Sequence, residues 1–316
     1  MKKSLVALAA LVATGAFAQA TITGTVDSAL TSTKTTTGAG VSTTVQTIDN
    51  NRQGTSNVTF SGAEDLGAGL KAVYLYEADF VSNDAGAAPT AGQIYAGLQG
   101  GFGTVKMGAP NTPSLTTQGA RSPFGTKTGG RGFAYDASLT RFDGSVVYTA
   151  PAFGPVTLSL MSQPGGSANA ATAGDGPAQD IGITFASGPF KAVGSSFKRD
   201  ENKQNSIALN YTMGATTFYL GMHNEHNGTT TDNAGNNFAI AHTMGAVTLM
   251  ANFSTRDDKL AANNDRTENA IGLKYAFSKN TSAYGRLVSQ KTDNLAANST
   301  AAAKTTVTLV GLQVNF

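Results

Sequence analysis

The last twelve residues, TTVTLVGLQVNF, alternate along their length and finish on an aromatic, Phe316. Side chains alternate between the faces of a strand. Thr308, Val310, Leu312, Val314 and Phe316 therefore share one face, and Val307, Leu309, Gly311, Gln313 and Asn315 share the other. The first face turns wholly apolar toward its end. At the edge of an open sheet such a strand would pair with other chains. A closed barrel removes that edge by joining the last strand to the first, and the Ile22, Gly24, Val26 face is the expected partner. A terminal aromatic also suits a membrane barrel, which carries rings at its two interfaces.

The start of the sequence points to export. Met1-Lys2-Lys3 is a short basic opening, residues 5–12 are apolar, and Ala16-Phe17-Ala18 fits a small-x-small cleavage site before Gln19. Residues 1–18 are expected to be a signal peptide, and residues 19–316 a single transmembrane barrel domain. The apolar run is too short for a spanning helix, which needs roughly 20 residues. The chain has 22 basic and 20 acidic residues, and without Lys2 and Lys3 the two balance at 20 each. The net charge of +2 thus belongs to the leader and gives no case for a nucleic-acid partner. Cysteine is absent, so no disulfide framework holds an exported chain of this kind together. Mean hydropathy is −0.12. That value excludes a helical membrane protein and allows a β-barrel, whose strands turn half their residues into a polar lumen.

Between the ends, short turns alternate with long polar loops. Turns rich in Gly, Pro and Asn fall near 64–69, 100–103, 151–155, 187–189, 213–215, 244–246 and 277–280. Long connections fall near 32–51, 82–90, 110–139, 164–177, 225–235, 256–265 and 291–303, and one near 200–203 is shorter than its peers. About sixteen segments of roughly 8–12 residues lie between them, the length that crosses a bilayer when tilted. In 70–80, Tyr74 and Tyr76 oppose Lys71, Glu77 and Asp79; in 271–277, Leu273 and Tyr275 oppose Lys274; in 141–149, Phe142, Val146 and Tyr148 oppose Arg141, Asp143, Ser145 and Val147. The segments YTMGATT and HTMGAVT repeat one hairpin 31 residues apart. A secreted β-sandwich also has many short strands, but it needs neither loops sorted by length to opposite ends nor an aromatic terminus.

Five stretches resemble the Gram-negative general porins of the betaproteobacterial type. They are residues 58–72 (VTFSGAEDLGAGLKA), 100–108 (GGFGTVKMG), 141–148 (RFDGSVVY), 275–281 (YAFSKNT) and 310–316 (VGLQVNF), in the family's order over nearly the whole mature chain. The resemblance implies an all-β fold: a 16-stranded antiparallel transmembrane β-barrel with short periplasmic turns, long extracellular loops and a pore-constricting third loop. It implies a homotrimer in the outer membrane, in contact with outer-membrane lipid, through which ions and small hydrophilic solutes diffuse. It also implies that Phe316 is read by the outer-membrane assembly machinery. The third loop falls at about 110–139, the longest connection, and a loop of that size without strand pattern is usually functional.

Such a channel does no bond chemistry, so neither enzyme activity nor a cofactor is expected. Selectivity then rests on pore size and on the charges lining the pore. Parity places Lys71, Glu77, Asp79, Lys106, Arg141, Lys274 and Arg286 on the lumen face, because a base at mid-membrane on the lipid side would cost roughly 2–4 kcal/mol. The third loop adds Arg121, Lys127 and Arg131 against one acid, Asp136. That ratio predicts a constriction favouring anions. Two features oppose it: the family often has a basic lumen residue where this chain has Val147, and Asp27, Glu77 and Asp79 offset part of the field. His223 and His226 flank a polar loop and read as a solvated rim, and His242 is the wall-like histidine. No metal site follows, since three ligands are needed at one point, and no nucleophile accompanies a histidine. A substrate-specific anion channel on the same barrel and a secreted β-protein without a pore are the alternatives.

Overall fold

In the computed structural model the described residues are 20–130, 139–165, 176–228, 231–260, 264–295 and 299–316. The expected leader, residues 1–18, lies outside them. The strands are β1 (Thr21–Thr37), β2 (Ser42–Asn50), β3 (Asn57–Gly67), β4 (Leu70–Asp79), β5 (Thr90–Gly100), β6 (Gly103–Ala109), β7 (Ser145–Thr149) and β8 (Val156–Gln163). They continue as β9 (Ala178–Ser187), β10 (Phe190–Arg199), β11 (Asn202–Met213), β12 (Thr216–Asn227), β13 (Thr231–Met244), β14 (Val247–Asp258), β15 (Arg266–Ala276), β16 (Thr281–Thr292) and β17 (Ala302–Asn315). Except that β2 and β3 both pair with β1, each pairs antiparallel with the next around one closed sheet.

The seventeen strands fill sixteen barrel positions. On one side β1 pairs with β17, from Thr25↔Asn315 to Thr37↔Ala302. On its other side its outer part pairs with β2 (Ser28↔Asn50) and its inner part with β3 (Thr21↔Ser61), so β2 and β3 share one position. Gly24 and Phe316 complete the closure with reciprocal N–H to carbonyl bonds of 2.9 and 3.0 Å. The β1–β17 seam is therefore closed, as the terminal alternation predicts; among the described residues only β2, which pairs with β1 alone, keeps an unpaired outer edge.

Period-two sorting explains why this sheet closes instead of stacking on a second one. Ile181, Ile183, Ile207, Met222, Phe253, Ile271, Leu287 and Val310 face outward and are exposed. So continuous an apolar belt exceeds what a water-soluble surface carries and matches a lipid-facing band. Aromatics gather at the short-turn end: Phe185 and Phe190 lie 6.0 Å apart, Tyr275 and Phe277 5.1 Å. The buried residues point inward, where the third connection fills part of the lumen.

Three expectations need correction. Residues 32–51 are not an open loop, because β1 runs on to Thr37 and β2 folds back along it as a hairpin. Likewise β12 and β13 extend to Asn227 and Thr231, so most of 225–235 is strand. Phe142 does not share the outward face of Val146: it is buried and stacks on Phe197 with centroids 5.3 Å apart. Gly144, at φ 65°, ends the strict alternation, and β7 begins only at Ser145. Phe142, Leu139, Val147, Met161, Ala178 and Phe197 then form an inward apolar cluster. Val147 thus faces inward, as its register predicts, and its site is packed.

Candidate functional site: the lumenal constriction

The third connection enters the lumen through a short helix, α1 (Pro113–Ala120). Thr112 is its N-cap, accepting the Leu115 N–H at 3.1 Å, and Pro113 occupies the first turn, where a missing N–H costs nothing. The Thr112 hydroxyl donates to the Leu139 carbonyl, and its N–H reaches the Thr140 carbonyl at 3.1 Å. These bonds tie the two ends of the connection together.

Wall side chains hold the segment from there on. Asp180 of β9 accepts the Ser114 N–H at 2.7 Å and its hydroxyl at 2.9 Å. A carboxylate at a helix N-terminus also meets the positive end of the helix dipole. Past the helix, wall amides meet carbonyls left without helical partners. Asn210 Nδ2 donates to the Ala120 carbonyl at 2.9 Å, Asn237 Nδ2 to that of Arg121 at 2.7 Å, and Asn252 Nδ2 to that of Gly129 at 3.0 Å. Arg286 Nη1 reaches the Thr128 carbonyl at 2.5 Å. The segment thus crosses the inner wall from β9 to β16.

Small wall residues let it lie close. A Cβ on Gly182 would sit 2.6 Å from Pro113 Cβ, one on Gly221 2.8 Å from Arg121 Cγ, and one on Gly272 2.5 Å from Phe124 Cε1. Phe124 also packs with Met250, Ala270 and Val288. Loop and wall therefore fit as a packed interface.

Beside this interface is a lumenal cavity of about 460 Å³ lined by Lys127, Lys274 and Arg286 together with Gln53, Gln313 and Phe124. No carboxylate is among its lining residues. Lys127 Nζ donates to Thr55 Oγ1 at 2.6 Å. The Arg286 guanidinium is largely buried, lies over the rings of Phe124 (5.1 Å) and Tyr284 (5.3 Å), and donates to the Arg52 carbonyl at 2.7 Å. Such stacking and carbonyl bonding hold the cation in place without a contact ion pair among the described residues, with Asp27 in electrostatic reach. The nearby Asp27 is fully buried and already engaged: it accepts the N–H groups of Arg52, Gln53 and Gly54 and, at 2.9 Å, the Tyr284 hydroxyl.

The other expected site residues are dispersed. Arg141 faces Asp79 at 3.8 Å, and Glu77 accepts from Asn57 Nδ2 at 2.9 Å and from the Gln93 N–H at 3.1 Å. These acids offset the wall base nearest them. Lys106 Nζ lies 4.6 Å from the Tyr95 ring centre. Lys71 is exposed beside the Gly67–Gly69 turn, away from the cavity. Arg121 is buried against the wall, and desolvation lowers its pKa to about 10, which leaves it cationic at neutral pH. Arg131 and Asp136 lie outside the described residues. Asp180, Tyr284 and the wall asparagines are absent from the sequence reading; the alternation Asp180-Ile181-Gly182-Ile183 marks Asp180 as inward-facing, but its partner in the loop carries no pattern. His223 is no solvated rim: it is buried, with Nδ1 2.7 Å from Ser206 Oγ. Among the described residues no three metal-binding side chains converge.

Comparisons with known proteins agree with this geometry. A family profile described as Gram-negative porin matches residues 4–295. The major outer membrane protein P.IB of Neisseria meningitidis serogroup B is 27% identical over 322 aligned residues, covering 90% of this chain and 91% of that protein. The anion-selective porin of Comamonas acidovorans superposes with a TM-score of 0.78 at 19% identity, covering 95% of this chain and all of that one. The trimer form of OmpT from Vibrio cholerae superposes at 0.72 with 13% identity, covering 95% and 99%.

Proposed function

This chain belongs to the Gram-negative porin family and is an outer-membrane channel, and from that premise we propose that its constriction favours anions among the ions and small hydrophilic solutes that diffuse through it. One observation carries the reading: Lys127, Lys274 and Arg286 line a single lumenal cavity that no carboxylate lines. In a narrow lumen with low-dielectric walls, fixed charge acts more strongly than in bulk water and concentrates counter-ions. The resemblance in fold to a porin described as anion-selective supports the same direction. The Asp79–Arg141 and Glu77 cluster does not line that cavity, but Asp79 lies within electrostatic reach of Lys127 as well as of Arg141 and offsets part of the field. In planar bilayers under a potassium chloride gradient, the zero-current potential should take the sign set by chloride; a potential of the opposite sign rejects the reading.

The active assembly is a homotrimer, in keeping with the trimer form of the similar Vibrio cholerae protein. Residues 1–18 direct export, and Phe316, closing the barrel against Gly24, is the feature that the assembly machinery reads. The channel carries out no catalysis.

A further inference from the structure

The outer face of β10, β11 and β12 carries a row of basic side chains. Cross-strand register sets Lys198 directly opposite Lys203, and Lys203 directly opposite His226. Both lysines are exposed, and among the described residues neither has a carboxylate within ion-pair distance. Like charges placed directly opposite each other on a sheet repel, so this arrangement is costly unless an anion lies between them. Facing the row from adjoining strands are Gln179, opposite Lys198, and Asp232, whose carboxylate is 4.0 Å from the His226 ring. The acids of the β10–β11 turn are directed elsewhere: Asp200 accepts the Gly176 N–H at 3.2 Å, and Glu201 leans on Gly228.

Depth makes the row informative. Phe190 and Tyr211 are paired at the short-turn end of the same two strands, eight residues from the Lys198–Lys203 pair. Eight residues span about 26 Å along a strand, or roughly 20 Å along the axis of a barrel with strands tilted by about 40°, against an apolar band about 25 Å tall. The lysines therefore stand at the upper margin of the lipid-facing band. Immediately inward lie Ser196, Asn205 and Asn224, again in direct register. Below them is a depression of about 360 Å³ floored by Gly194 and walled by Ile181, Ile183, Ile207 and Met222. Cations, then polar groups, then an apolar trough follow in the order in which a lipid presents phosphate, polar linkage and acyl chain.

We propose that Lys198, Lys203 and the trough beneath them bind a phosphorylated lipid of the outer leaflet, its phosphate bridging the two lysines and an acyl chain lying in the trough. Only Asp200 and Glu201 separate β10 from β11, so that connection places no long loop over the site.

The test uses the intact barrel refolded into phosphatidylcholine nanodiscs containing bisphosphorylated lipid A, with retained lipid counted by native mass spectrometry after extraction. The wild type should retain the lipid, the Lys198→Gln/Lys203→Gln variant should retain about tenfold less or lower still, and Lys198→Arg/Lys203→Arg should match the wild type. Single-channel conductance, equal in all three, shows that the variants fold. Equal retention by the Gln variant, equal retention of lipid A stripped of its phosphates, or retention of inorganic phosphate without lipid would each overturn the proposal.

Discussion

Asp180 fixes the first turn of α1 to the barrel wall through Ser114, accepting both its N–H and its hydroxyl at 2.7 and 2.9 Å. The carboxylate is fully buried, so its loss leaves two donors unsatisfied, at about 1–3 kcal/mol. Asp180→Ala should detach the helix from β9 while the sheet stays closed. Single-channel recording should show larger or noisier steps, with no change in the thermal unfolding of the barrel. Unchanged conductance would mean that the helix is held by packing alone.

Gly272 and Phe124 test that packing. A side chain at position 272 meets the Phe124 ring, since its Cβ alone would lie 2.5 Å from Cε1. Overpacking of this kind costs about 1–3 kcal/mol. Gly272→Val should displace the segment 121–130 and expose its amides to hydrogen exchange. Exchange equal to that of the wild type would show that the ring can move aside within its cluster.

Phe316 is bonded to Gly24 through both backbone groups, and its ring occupies the space a Cβ would need at that glycine. Deleting Phe316 removes both bonds and the ring, whereas Phe316→Ala removes the ring alone. On heat-modifiable gels the deletion should lower assembled trimer severalfold while export continues. Full assembly of the deletion variant would reduce Phe316 to an interfacial aromatic.

Ionic strength offers another handle on the channel. Screening lengths fall from about 10 Å at 0.1 M to about 3 Å at 1 M salt. The anion preference should therefore weaken steadily across that range when zero-current potentials are measured at a fixed gradient ratio. A preference independent of salt would point to pore size instead of charge.

Much of this architecture was legible in the residues. Turn chemistry such as that of residues 67–69 and 244–246, together with period-two alternation, locates strands and faces, because both are local properties of the backbone. The closure of Phe316 on Gly24 follows from the same logic. Local rules failed where one residue resets the parity, as Gly144 does for Phe142. They failed again at 32–51, where polar Thr-rich strands look like loop because no buried face marks them. The seating of the third connection was hidden for another reason. It depends on absent side chains at Gly182, Gly221 and Gly272 and on asparagines that meet carbonyls more than 85 residues away in sequence. Among the expected bases, parity identified the lumen face of Lys274 and Arg286; their meeting with Lys127 in one cavity required the folded loop.

The claim that these cations set selectivity is tested most directly by the zero-current potential of Lys127→Gln/Lys274→Gln beside the wild type under one potassium chloride gradient at low salt. Arg286 is left in place because it also supports the Thr128 and Arg52 carbonyls. The double variant should shift markedly from the chloride side toward zero at similar conductance. A potential identical to that of the wild type would contradict the assignment of selectivity to this cavity.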